Sequence, residues 1–154
     1  MNILRTKDAT LLAELNFSVQ MIHHLINPVL FKAHAIEGVE AFFKSYLESD
    51  DVEAYVYRKG NQTLGYIMLA CKATENSPMT HANTSLNIDH INVIESAKGQ
   101  GIGKALVDFS KVIAKSKGID RITMSYWIGN DQSGEFFEEQ GFKAYNVRMA
   151  YDVE

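Results

Sequence analysis

One cysteine, two prolines and no long apolar run in 154 residues set the first limits. Cys71 has no second thiol for an internal disulfide and no thiolate partner for a metal site, so a reduced, cytoplasmic setting and no metal are expected. Crossing a bilayer takes about 20 consecutive apolar residues, and without such a run no membrane partner is expected. Arg5 and Asp8 follow the first residues where a secretory signal would need an apolar stretch, so none is expected. Basic residues form no block. The chain holds 15 Lys and Arg against 19 Asp and Glu, a formal charge of −4, which gives little attraction for a nucleic-acid backbone. Repeats, low-complexity tracts and Pro/Ser-rich linkers are also missing, so residues 1–154 are read as one domain. What is present, 46% apolar and 22% charged residues, suits an ordinary folded core.

Hydrophobic spacing divides the chain into elements. Asn2 to Thr6 is a short strand. Asp8 is a candidate N-cap for a helix with Leu11, Leu12, Leu15, Val19 and Ile22 on one face. Asn27-Pro28 ends it, because a residue before proline is pushed away from helical geometry. A second helix carries Ile36, Val39, Phe43, Tyr46 and Leu47. The period then changes to two: Glu53–Arg58 and Leu64–Cys71 form a hairpin around Arg58-Lys59-Gly60-Asn61. A polar loop leads to a strand over Ser85–Val93, a glycine turn, and a helix over about Gly101–Lys117. Arg121–Trp127 is expected as a strand, Asp131–Gln140 as a short helix, and Phe142–Val153 as one or two final strands. The order β-α-α-β-β-β-α-β-α-β predicts a mixed α/β domain of the α+β type with a largely antiparallel sheet.

Parity in the strand before the glycine turn adds a detail. Leu86 and Ile88 share one face, whereas Ile91 and Val93 fall on the other. One extra residue near Asp89 or His90 restores a common face, so a β-bulge is expected there, re-aiming main-chain N–H groups out of the sheet. A strand buried on both sides is the alternative.

Lys98-Gly99-Gln100-Gly101-Ile102-Gly103 lies between that strand and an amphipathic helix. Glycines at alternate positions permit positive φ and close approach of another group. Free N–H groups converging at a helix N-terminus favour a phosphate. Two familiar phosphate loops do not fit. The Gly-Lys pair at Gly103-Lys104 comes one residue too early for a nucleoside-triphosphate loop, and Ala105 replaces its Ser/Thr. The third glycine comes too soon for the dinucleotide fingerprint.

The turn does resemble the coenzyme-A loop of the GNAT superfamily of N-acetyltransferases, Arg/Gln-x-x-Gly-x-Gly/Ala, with Lys98 as a conservative departure at the first position. The resemblance extends to Ile91-Asn92-Val93, which matches the end of the strand preceding that loop. It also covers a later segment matched by Asn130, Ser133, Phe136, Phe137, Gly141 and Phe142. It implies a sheet of six to seven strands, splayed between the fourth and fifth and flanked by about four helices. It also implies acetyl-CoA as cosubstrate and transfer of its acetyl group to a primary amine of a small molecule or peptide. The alternative is a non-catalytic or regulatory coenzyme-A-binding module. The resemblance further allows a homodimer through the late strands.

By the same resemblance, main chain near Ile91, Asn92 and Val93 bonds the pantetheine arm. The Lys98, Gly99, Gln100, Gly101, Ile102, Gly103 and Lys104 N–H groups hold the pyrophosphate, and Lys98 or Lys104 adds charge. Asn130 reaches the coenzyme from the far strand, and Phe136 packs near pantetheine or under the sheet. Asp89 and His90 are the candidate bases, and an outward N–H near Asn92 or Val93 is the donor to the developing oxyanion. Relatives often carry tyrosine where this chain has Phe137, which cannot donate a proton. Tyr145 and Ser133 are the candidate replacements. Tyr126 and Trp127, near the splay, either line the cleft or pack in the core. His23 and His24 are adjacent on a helix and diverge by about 100°, so surface roles are expected for both.

Overall fold

The structure is a computed structural model describing residues 2–154. The first helix begins as its cap predicts: the Asp8 carboxylate accepts from the Leu11 N–H at 3.0 Å, and α1 runs Ala9–Ile26. Asn27 stops it before Pro28. After a nine-residue connection, α2 spans Ile36–Tyr46. The strands are β1 (Ile3–Thr6), β2 (Val52–Lys59), β3 (Gln62–Thr74), β4 (Asn83–Val93) and β5 (Ile122–Met124). α3 (Ile102–Ser116) crosses from β4 to β5, and α4 (Asp131–Glu139) follows β5.

The five strands stand in chain order, β1-β2-β3-β4-β5. The first three pairings are antiparallel and the last is parallel. β3 is the central strand, buried without interruption from Leu64 to Ala70, and its alternate side chains feed two cores. On one face Tyr66, Met68 and Ala70 meet Leu12, Phe43 and Leu47 of the α1–α2 layer. On the other, Ile67 and Leu69 meet Leu106, Val107 and Phe137 of the α3–α4 layer. Each such fully buried large side chain contributes about 1.5–3 kcal/mol relative to exposure. The buried Tyr66 hydroxyl accepts from the Asn16 amide at 3.0 Å, which satisfies both polar groups where water is excluded.

Three expectations are corrected. Among the described residues the sheet has five strands, not six or seven. The expected strand at Arg121–Trp127 narrows to Ile122–Met124, because β4 and β5 pair only over Leu86–Ile88 and Ile122–Met124 and then part. Phe142–Val153 has strand alternation but pairs with no strand. Period two makes a segment suited to a sheet, but a ladder needs a neighbour.

Candidate active site

The bulge expected in β4 is present. Met68 pairs with His90 and Leu69 with Ile88, so Asp89 is the extra residue. Leu86 and Ile88 before it, and Ile91 and Val93 after it, all pack in the α3–α4 core. Main-chain direction shifts in the same way. The Leu86 N–H bonds the Arg121 carbonyl across the β4–β5 pair, and the Ile94 N–H bonds Leu64 towards β3, both at 2.9 Å. Strand alternation then turns the N–H and C=O of Ile91 and Val93 into the gap between β4 and β5. Asn92 faces the other way. Its amide donates to the Leu15 carbonyl and the Ser18 hydroxyl of α1, each at 2.8 Å, and its main chain points to β3.

Below the gap lies the glycine turn. A short 3₁₀ segment, Glu95–Ala97, leads to Lys98. Gly99 and Gly101 then adopt φ of +75° and +78°, a region costly for residues with a Cβ. α3 starts at Ile102 with no side-chain cap. The Gly99 to Lys104 N–H groups have no acceptor among the described residues, the first helix-closing bond being Ala105 N–H to the Gly101 carbonyl at 3.0 Å. Six successive free donors at a helix N-terminus fit a pyrophosphate. Both lysines are occupied nearby: Lys98 pairs with Glu95 at 2.7 Å, and Lys104 with Asp108. Lys104 and then Lys111 hold the Asp108 carboxyl below the ordinary aspartate range.

α4 forms the far wall. The Asn130 carbonyl oxygen caps this helix through the Ser133 N–H at 3.3 Å, leaving its amide nitrogen without a partner among the described residues. Gly134 lies so close to Tyr126 that a Cβ there would meet the ring at 2.8 Å, which fixes α4 against the chain leaving β5. Phe136 rests on Gly103, and Phe137 packs edge-on between Phe136 and Phe142, 3% exposed.

Between these walls is a cavity of about 70 Å³ bordered by His23, Asp89, His90, Tyr126, Asn130 and Ser133, with Phe137 at its base. His90 is half-buried, its ring edge-on to Phe43 at 5.2 Å. Desolvation holds its pKa below the ordinary histidine value, against the neighbouring Asp89 charge, and His23 lowers it further. His23 is lowered by burial too. Both imidazoles are therefore neutral at neutral pH and available to accept a proton. Asp89 is already engaged: it accepts from the Tyr46 hydroxyl and the Asn87 amide, and Lys72 lies 3.9 Å away. Burial, then the Asp89 hydrogen bond and charge, raise the Tyr46 pKa, keeping the phenol protonated.

The structure thus brings together Asp89, His90, Ile91, Val93, the glycine turn, Asn130, Ser133, Phe136 and Phe137. It does not bring Tyr145 there. That ring lies beyond α4, under the Arg121 guanidinium at 4.8 Å, beside the start of β5 and outside the cavity lining. His23, expected on the surface, borders the cavity instead. Tyr46 and Asn87 were not singled out in the sequence. Tyr46 has the spacing of a core-facing helical residue, and only the docking of α2 on the bulge reveals its hydroxyl contact.

Residues 19–142 match the Acetyltransferase (GNAT) family. The chain belongs to this family. Similarity in three dimensions spans the whole chain. A tetramutant of the BH1408 protein from Bacillus halodurans superposes with a TM-score of 0.92 at 17% identity, covering 99% of this chain and 100% of that one. An aminoglycoside 6'-N-acetyltransferase from Acinetobacter haemolyticus gives 0.74 at 14% identity, with 100% and 99% covered. A transcriptional regulator from B. halodurans C-125 gives 0.69 at 21%, with 98% of both covered. At these identities the likeness is one of fold. No curated protein matches the chain.

Proposed function

We propose that this GNAT protein is an acetyl-CoA-dependent N-acetyltransferase acting on a primary amine of a small molecule or peptide by direct attack. The observation that carries the reading is the run of six acceptor-free N–H groups from Gly99 to Lys104, in line with the gap between β4 and β5. Acetyl-CoA supplies the thioester carbonyl that the amine attacks. The glycine turn holds the pyrophosphate through main chain, and the outward groups of Ile91 and Val93 bond the pantetheine arm as a strand would. Asn130 contributes its free amide nitrogen from the far wall, and Phe136 closes the floor.

An alkylamine has a pKa of about 10.4, so only roughly a thousandth is neutral at pH 7. His90, neutral and beside the gap, takes the excess proton, directly or through water. The nitrogen–carbon bond then forms, the carbon–sulfur bond breaks with its electron pair going to sulfur, and the proton left on the nitrogen passes to the departing thiolate, directly or through water. An Ile91 or Val93 N–H donates where negative charge develops. Asp89 is a positioning residue that fixes the bulge through Tyr46 and Asn87. A thiol pKa near 8.5 makes the thiolate a fair leaving group, and Ser133, in the cavity wall, is the hydroxyl proposed to assist its protonation.

A second reading, a coenzyme-A-binding module without catalysis, is favoured by Phe137, which puts a buried ring where a phenol would serve. Calorimetry with acetyl-CoA and an amine panel scored by free thiol separate the two. Binding with thiol release supports transfer, and binding without release from any amine supports the module. No binding at millimolar acetyl-CoA removes both.

A further inference from the structure

Three rings lead out of the cavity in a chain. His23, in the cavity lining, lies 5.0 Å from Phe31 of the α1–α2 connection. Phe31 in turn stands edge-on to Trp127, on the chain leaving β5, at 4.9 Å. Tyr126, also in the lining, precedes Trp127, and both of these rings are exposed. The connection is held from α1: His24 Nδ1 donates to the Phe31 carbonyl at 2.7 Å, and the Gln20 amide to the Lys32 carbonyl at 2.8 Å. A Cβ on Gly129 would meet Ile26 at 3.4 Å, so the chain after β5 lies against the same helix. Both sides of the rim are thus fixed in place.

The charge pattern of this rim is as specific as its rings. Between Glu14 and Glu37, and again between Asp120 and Asp131, the sequence holds neither Asp nor Glu, and these two stretches supply every ring named. Among the described residues Asp89 is the one carboxylate of the lining, and it is taken up by Tyr46 and Asn87. What stands exposed beside Phe31 and Trp127 is apolar: Val29, Leu30 and Ile128. Such a surface receives a polycation poorly, because lost hydration is met by no counter-charge. It suits an apolar ring, which gains area burial and edge-to-face contact together.

We propose that the acceptor is a monoamine bearing an aromatic ring on a short aliphatic stem, its ring seated against Phe31 and Trp127. The inference rests on the acetyl-transfer reading and names the substrate class of that site. The cavity, about 70 Å³, has to take the thioester as well as the amine, so the body of the acceptor stays at the rim. A short stem carries the nitrogen past His23 towards His90. Burial keeps both imidazoles neutral, so neither sets a positive charge in the path of an ammonium, and the ring faces it passes attract a cation.

Thiol release from acetyl-CoA with 2-phenylethylamine, butylamine and spermidine tests it. The expected kcat/KM for 2-phenylethylamine exceeds that for each of the others by about tenfold or more. F31L and W127L, which keep bulk and remove a ring, are each expected to raise KM for 2-phenylethylamine by about threefold to tenfold, with a smaller change in kcat and acetyl-CoA affinity unchanged by calorimetry. Trp127 is the only tryptophan, so its fluorescence reads the rim without catalysis. A saturable change with 2-phenylethylamine and none with spermidine is expected. Spermidine or butylamine as the better acceptor overturns the proposal while leaving acetyl transfer intact. So does a ring preference that survives both substitutions, or a Trp127 signal that ignores 2-phenylethylamine. Thiol release from no amine, with acetyl-CoA bound, removes the acetyl-transfer reading and this one with it.

Discussion

The two faces of the sheet meet at the same gap but build their halves of the site from different material. On the α3–α4 side most of the binding groups are main chain, the Gly99–Lys104 N–H groups and the outward edge of β4, with Asn130 and Ser133 at the head of α4 as the side-chain exceptions. On the α1–α2 side they are side chains: His23, Tyr46, Asn87, Asp89 and His90, converging from α1, α2 and β4. A main-chain site depends on local backbone conformation and tolerates change in side chains that keep it. A side-chain site depends on how separate elements dock, and single substitutions remove its chemistry outright.

The contrast is most sharply tested at His90. H90Q is expected to lower kcat/KM by roughly 10²–10⁴ while leaving acetyl-CoA affinity within about twofold by calorimetry. Equal loss of affinity would place His90 in the binding half instead. At the glycine turn the reverse split is expected. G101V forces a β-branched residue into φ of +78° and misdirects the donors, weakening acetyl-CoA binding by about tenfold or more. Circular dichroism should stay unchanged. A smaller effect is expected at the join between the halves. G134A brings a methyl against the Tyr126 ring; because that ring is partly exposed and can shift, the loss should fall at the lower end of about 1–3 kcal/mol by urea unfolding.

The gentlest test is pH. His23 and His90 have folded pKa values below their ordinary value of 6.5, so the unfolded chain binds more protons and stability rises with pH. Their penalty is absent above about pH 6.5 and grows as pH falls from there through the folded values. The urea midpoint should therefore be lower at pH 5.5 than at 7.5, and H23Q/H90Q should flatten the difference. An unchanged midpoint in the wild type would contradict the burial of both rings.

The same division explains how much was legible in the sequence. Helix starts, the hairpin and the glycine turn depend on neighbours a few residues apart, so Asp8, Pro28, Gly99 and Gly101 announced them. The bulge was legible because burial imposes parity, and Leu86, Ile88, Ile91 and Val93 broke it. Tyr46 gave no sign of its hydroxyl contact, since its spacing suits a core face equally well. His23 looked like a surface residue because nothing local places the β4 bulge beside it. The final strands were expected from alternation alone, which records suitability for a sheet but not which edge is within reach. Tyr145 was misplaced for that reason.

The strand order has a consequence for how the molecule forms. Because β1 through β5 stand in the sheet as they stand in the chain, no later segment has to thread between earlier ones. β2 and β3 meet through a two-residue connection, so their closure entropy is low and this hairpin can form first. β4 follows with only a polar loop to close. The sole crossover, α3, comes next, and β5 gains its three ladder positions last. Each strand's neighbour in the sheet is also its neighbour in the chain, so the gap between β4 and β5 requires α3 to cross the sheet and α4 to pack after β5.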